Sequence, residues 1–227
     1  MIDEGVVVYP TESDGTSGIA NFYQSADMER RICKPIGFGG KFKLMDIPKI
    51  DARVIMVTPL YAGEVDLPLL QVLATRSPLA LDIQGFVRVP VADGLEYRPW
   101  DDLKEGLKSV TYLKVDRAEA EFLTGKDDIL DAARTLAEMG PKEIVLTQSS
   151  GVTVYAEDRF YTAPFTPRSL AGRTGRGDTC FSTYIAMRLD GSAEKACNWA
   201  GAITSLKQEK PGPWMGSVAE VEEILEQ

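Results

Sequence analysis

The chain has 227 residues, 44% apolar and 26% charged, with a net charge of −9. That length and balance suit a soluble globular protein with one sizeable core, and the negative charge argues against a nucleic-acid or anionic-membrane partner. The sequence has no histidine, which removes Ser-His-Asp and Cys-His catalysis and leaves Asp, Glu, Lys, Tyr or Cys as a general base.

In chain order, residues 5–9 and 18–24 read as strands joined by a turn rich in Ser, Asp and Gly, and residues 30–34 as a third strand. Residues 35–48 read as a loop containing a helical turn. An alternating pattern then begins. Residues 54–58 and 79–83 are continuous apolar runs, as in strands buried on both faces. Between them, residues 64–76 have helical spacing. A short amphipathic helix is predicted over 101–109, a strand over 110–115, and a helix capped by Asp127 running to Met139. Gly140-Pro141 ends that helix. A strand over 143–147 and a hairpin through 152–155 and 159–162 follow. Three helices close the chain: one carrying Phe181, Tyr184 and Ile185, one capped by Ser192, and one opened by the capping box Ser217-Val-Ala-Glu220. Strands alternating with helices predict a three-layer α/β fold, a mainly parallel sheet with helices on both faces. A single domain is expected, with residues 1–34 as a hairpin element and 35–227 as the core.

No apolar run is long enough to span a bilayer, and the N-terminus has no signal-peptide pattern. Cys33, Cys180 and Cys197 lie far apart without metal-ligand spacing, and read as small packing side chains in a reducing compartment. A cytoplasmic protein is expected.

The densest chemical signal is Gly172-Arg173-Thr174-Gly175-Arg176-Gly177-Asp178. Such a loop entering a helix can aim several N–H groups at one anion, with the helix N-terminus behind them. Asp178 would then stand beside that anion. The bland reading is a flexible turn into a helix. The segment is neither a Walker A loop nor a Rossmann fingerprint.

Thr174-Gly175-Arg176-Gly177-Asp178-Thr179 resembles the second signature of the PfkB, ribokinase-like carbohydrate kinases. The likeness extends along the chain. Leu113-Lys114-Val115-Asp116 through Glu119 to Gly125 resembles the family's Lys-Pro-Asn-x-x-Glu segment. Residues 145–152 resemble its Thr-x-Gly strand end, residues 200–212 the small-residue helix that flanks adenine, and Gly15-Thr16-Ser17-Gly18 its substrate-side hairpin. The resemblance implies an ATP-dependent phosphotransferase acting on a hydroxyl of a sugar or nucleoside-like molecule. It implies Asp178 as the base, and N–H groups from Gly175, Arg176, Gly177 and Asp178 as an anion hole. Thr147, Ser149, Gly151, Gly201 and Ser205 would lie along the nucleotide. Asp116 and Glu119 would hold Mg2+ through waters; their bland reading is a charged helix start. Arg176 replaces the usual Ala, and pairs with a phosphate oxygen or points to solvent. Gln84 and Arg88 follow a buried strand at the edge where parallel sheets bind ligands, and are candidate substrate contacts. No nucleic-acid or membrane partner is expected, and a homodimer is compatible with the pattern.

The family's opening strand, a substrate-binding Asp and a sugar-gripping Gly-Gly segment have no counterpart in the sequence. Met1 aligns just ahead of the substrate-side hairpin. A second expectation follows from this: a non-catalytic nucleotide-binding remnant, or a shortened member that needs the missing segment or a partner chain. An exposed sheet edge would accompany it.

Overall fold

The computed structural model describes residues 5–24 and 31–226. Its centre is a six-stranded sheet. Strands β3 (Ile55–Val57), β4 (Leu79–Asp82), β7 (Tyr112–Asp116) and β8 (Glu143–Gln148) run parallel. β9 (Gly151–Ala156) and β10 (Arg159–Pro164) complete it antiparallel, in the order β10-β9-β8-β7-β4-β3. The continuous apolar runs become the buried central strands because side chains alternate between two filled faces. Leu79, Leu81, Leu113, Val115, Ile144 and Leu146 face one core. That core is covered by α1 (Leu67–Ala74), α3 (Leu103–Leu107), α4 (Arg117–Thr124) and α5 (Ile129–Ala137). Ala80, Val145, Val152 and Val154 face the other, under α6 (Arg176–Arg188) and α7 (Ala193–Gln208). The last helix, α8 (Val218–Leu225), packs on α7. The expected three-layer arrangement is the one that forms.

Two antiparallel ribbons stand apart from this sheet. One pairs β1 (Gly18–Tyr23) with β2 (Arg31–Gly37); the other pairs β5 (Arg88–Val91) with β6 (Gly94–Tyr97), and β6 lies against β2. They sit close to the carboxyl ends of β4, β7 and β8, where open parallel sheets leave a crevice. A four-residue helical turn, α2 (Gln84–Val87), links β4 to β5.

Several local expectations are corrected. Residues 6–9 are not a strand but exposed chain, with Val7 71% accessible. The expected third strand starts at residue 30, outside the described residues; from Arg31 it continues to Gly37. The helix expected over 64–76 starts only after Asp66, whose carboxylate accepts from Leu69 N–H, and it buries Leu70 where Val72 was expected. Asp128, not Asp127, caps α5, accepting from Leu130 and Asp131 N–H at 2.9 and 3.0 Å. The β5–β6 hairpin was not anticipated, whereas α4 is the helix start that the bland reading of Asp116 and Glu119 offered. Residues 38–48 are loop with one 3-10 turn, Leu44–Asp46, as expected, but 35–37, expected in that loop, belong to β2. At the β3 end of the sheet, β3 pairs only with β4 among the described residues. No helix among these residues is long and apolar enough to cross a membrane.

Candidate active site

The glycine loop is held from below. Gly172 N–H donates to Gln208 O at 2.7 Å, and the buried Lys207 ammonium donates to the carbonyls of Gly172 and Thr174. A side chain at 172 would overlap the carbonyl of Lys210. Gly175 then turns left-handed, at φ 85°, and serves as the N-cap of α6. That conformation disfavours any residue with a Cβ. Among the described residues, the N–H groups of Gly175, Gly177 and Asp178 have no backbone partner, as the first turn of a helix dictates. The N–H of Arg176 is taken, donating to Arg173 O at 3.2 Å. The expected four-amide hole therefore lacks its Arg176 member, because the turn that launches α6 uses it.

Asp178 is exposed and lines a cavity of about 250 Å³. Gly175, Arg176, Gly177, Thr147, Gln84, Arg88 and Asp116 border the same cavity. Eight of the residues singled out from sequence thus meet there, drawn from α2, β5, β7, β8 and α6. Ser149 is exposed and borders an adjoining cavity of about 570 Å³, which shares Thr147, Arg173 and Arg176 with the first.

Gly151, Gly201 and Ser205 border neither cavity. Their small size serves packing. A Cβ on Gly151 would stand 2.4 Å from Ala163 O, and one on Gly201 would stand 2.6 Å from the Ala163 methyl. Ser205 is buried, donating to Gly201 O at 2.7 Å and accepting from Thr166 N–H at 2.9 Å.

The acidic pair is a capping box. Asp116 Oδ1 accepts from Glu119 N–H at 2.8 Å, and Glu119 Oε2 accepts from Asp116 N–H at 2.7 Å. Glu119 is wholly buried, and its Oε1 accepts from Arg88 at 2.9 Å. Burial pushes its carboxyl up to about 7, against the pull of Lys114 and Arg88. Asp116 stays partly open and accepts from Arg88 at 3.2 Å. Arg88 also lies over the Tyr97 ring, 5.7 Å from its centre. No group of three or more His, Cys, Asp or Glu side chains among the described residues could hold a metal ion. Glu119, with both oxygens engaged, offers no direct ligand; Asp116 faces the cavity.

The structure adds residues that pattern reading did not select. Lys114 and Asp82 pair across β7 and β4 at 3.0 Å beneath the loop. Asn21 and Cys33 lie opposite each other on the β1–β2 ribbon, with Cys33 Sγ 3.1 Å from Asn21 Oδ1, and both border the Asp178 cavity. Cys33 is half-buried, not the packed side chain expected, whereas Cys180 and Cys197 are buried. One signal was available: a lysine between Leu113 and Val115 in a buried strand is out of place unless something uses its charge.

The fold is ribokinase-like: a mainly parallel sheet with its crevice at the strand ends and a glycine turn opening a helix beside an aspartate. The comparisons specify it further. A family model described as pfkB family carbohydrate kinase matches residues 79–216, and the chain belongs to that family. A pyrophosphate-dependent kinase in the ribokinase family, solved with a pyrophosphate analog and myo-inositol, is 36% identical with a TM-score of 0.87, over 98% of this chain and 78% of that one. Arabidopsis thaliana ribokinase, solved with ribose and ATP, shares the fold at 18% identity and a TM-score of 0.69, over 93% of this chain and 70% of that one. The cytidine kinase of Thermococcus kodakarensis is 29% identical over 159 residues, covering 67% of this chain and 55% of that protein. The chain therefore spans little more than half the length of this curated relative.

Proposed function

We propose that the protein transfers a phosphoryl group from a polyphosphate donor to a hydroxyl of a small polyol, sugar or nucleoside-like acceptor. The observation that carries this is the first turn of α6. There the Asp178 carboxylate and the N–H groups of Gly177 and Asp178 meet at one polar cavity. An acceptor hydroxyl held beside Asp178 attacks the donor's terminal phosphorus. The bond to the leaving phosphate breaks, and the hydroxyl proton passes to the Asp178 carboxylate. The amides and the positive end of α6 stabilise charge on the phosphoryl oxygens. The transition state of such transfers is loose, so positioning and charge stabilisation supply most of the rate.

Two donors are in view. ATP follows from the family resemblance. Pyrophosphate is the donor we favour, on three supports. The pyrophosphate-dependent relative is twice as similar in sequence as the ribokinase solved with ATP. Gly201 and Ser205, the residues expected along adenine, are closed in by Ala163 and Thr166. Arg173 and Arg176 border both cavities, as suits a diphosphate. Magnesium, which screens donor phosphates in such reactions, would be held through water by Asp116, with Glu119 fixing Asp116 from behind.

The test is transfer to myo-inositol, ribose and cytidine from pyrophosphate and from ATP, each with magnesium, read as phosphorylated product by mass. Transfer that is lost in Asp178→Asn supports the reading. Transfer by that variant at the parent rate rejects it. Pyrophosphate binding without transfer to any acceptor favours a non-catalytic binder.

A further inference from the structure

We propose that Lys207 is a positioning residue of the donor site. Its ammonium acts as a tethered monovalent cation that aims the Gly175 amide at the donor, so that the protein binds pyrophosphate without a free potassium or ammonium ion. The inference rests on the phosphoryl transfer proposed above, in which the Gly175–Asp178 turn receives the donor's phosphate.

Lys207 lies in the last turn of α7 and is 4% exposed. Lysine is rarely buried to that degree unless its charge is used. The C-terminal turn of a helix favours a cation, and this one reaches across to the glycine loop. Its ammonium donates to Gly172 O and Thr174 O, two carbonyls separated by a single residue. Gly172 N–H returns to Gln208 O at 2.7 Å, so the loop and the helix end hold each other in both directions. A Cβ on Gly175 would lie 3.6 Å from Lys207 Cε, 3.8 Å from its Nζ and 3.9 Å from Asp178 Oδ2. The ammonium therefore stands at the same turn that carries the base.

Peptide geometry turns this contact into a positioning device. The peptide bonds of the described residues are trans, and in a planar trans unit the C=O and the N–H point in opposite directions. Thr174 C=O is drawn toward Lys207, so the N–H of the same unit, that of Gly175, is turned away from it. Among the described residues no backbone group takes that N–H, and Gly175 borders the Asp178 cavity. Lys207 thus sets the direction of one anion-binding amide. The Gly172 unit works likewise: its C=O is held by Lys207, and its N–H, that of Arg173, donates to Leu170 O at 3.2 Å, which anchors the start of the loop.

The chemistry is that of a small monovalent cation. Main-chain carbonyls converging on one positive charge are how proteins hold potassium, and the lysine ammonium is a compact charge of similar size. Asp82, Asp116 and Asp178 border the cavity, so a cation at the turn also offsets their repulsion of phosphate. Cutting the side chain back to Cβ leaves the two carbonyls facing a space that a free ion can enter. A methionine fills the same space with an apolar chain and admits none.

The test measures pyrophosphate affinity by calorimetry, with magnesium, for the parent, Lys207→Ala and Lys207→Met. Each is titrated in potassium, ammonium and tetramethylammonium chloride at equal ionic strength, and thermal midpoints report folding. Tetramethylammonium is too large to sit between the two carbonyls. The parent should bind equally in all three salts. Lys207→Ala should bind at least about tenfold more weakly in tetramethylammonium chloride and recover most of that loss in potassium or ammonium chloride. Lys207→Met should stay weak in all three. A Lys207→Ala protein that is equally weak in every salt, or as tight as the parent throughout, overturns the inference. So does a parent that needs potassium, and that arm uses no variant, so the inference can fail even where a variant does not fold. Pyrophosphate bound in the expected pattern with no transfer to any acceptor counts against the proposed function and not against the role of Lys207. A parent that binds no pyrophosphate rejects both.

Discussion

Arg88 Nη2 lies 2.9 Å from Glu119 Oε1, and both side chains are buried. The pair ties the β5–β6 ribbon to the start of α4, and so fixes one wall of the cavity against another. Sequence reading assigned these residues to different tasks, substrate contact and magnesium. In the fold they are partners.

That partnership predicts a large stability effect. Glu119→Ala leaves the Arg88 cation buried with Asp116 as its remaining hydrogen-bonded carboxylate among the described residues, and removes one half of the α4 capping box. Breaking one side of a buried pair costs about 3–5 kcal/mol. The thermal midpoint should fall by on the order of 10 °C. A change no larger than a surface substitution would show that the pair is not desolvated.

Asp178→Asn should keep the fold, because the side chain is exposed at a helix start and its carboxylate supports no other element. Loss of a positioned base lowers turnover by about 10²–10⁴-fold. Pyrophosphate binding should persist, since the amides and cations around the cavity remain. Calorimetry beside a transfer assay separates the two effects.

Lys207→Met should act on the loop rather than on the chemistry. The ammonium satisfies the carbonyls of Gly172 and Thr174 from a buried position. Leaving the buried Gly172 acceptor unpaired costs about 1–3 kcal/mol. With the loop less firmly held, the donor KM should rise more than kcat falls. An unchanged donor KM would mean that the turn keeps its shape without this clamp.

Asp128→Ala is a control at a residue that borders neither cavity. The carboxylate caps α5 through two N–H groups. Its loss should cost about 1 kcal/mol, or roughly 2–4 °C in midpoint for a chain of this size, with kinetic constants unchanged.

Much of the site was legible because its logic is local. The left-handed turn at Gly175, the missing side chain at Gly177 and the carboxylate at 178 are consecutive in the chain. A turn needing a positive φ before a helix selects glycine wherever it occurs. The same holds for the Ser192 and Ser217 caps, which form as expected. The acidic pair at 116 and 119 shows the limit. Its spacing fits both a metal pair and a capping box, and only the approach of Arg88 settles where the Glu119 carboxylate points.

The chain's pattern by itself determined the layered α/β architecture, the buried strands and the glycine turn that carries Asp178, since each follows from apolar periodicity or from the dihedral demands of a few neighbouring residues. Tertiary structure alone decided which residues meet. The parallel register of β4 and β7 places Lys114 against Asp82, thirty-two positions away. The packing of α7 on β10 closes Gly201 and Ser205 away from the cavity. Small residues permit close approach to a ligand or to another element equally well, and long-range packing chooses between them.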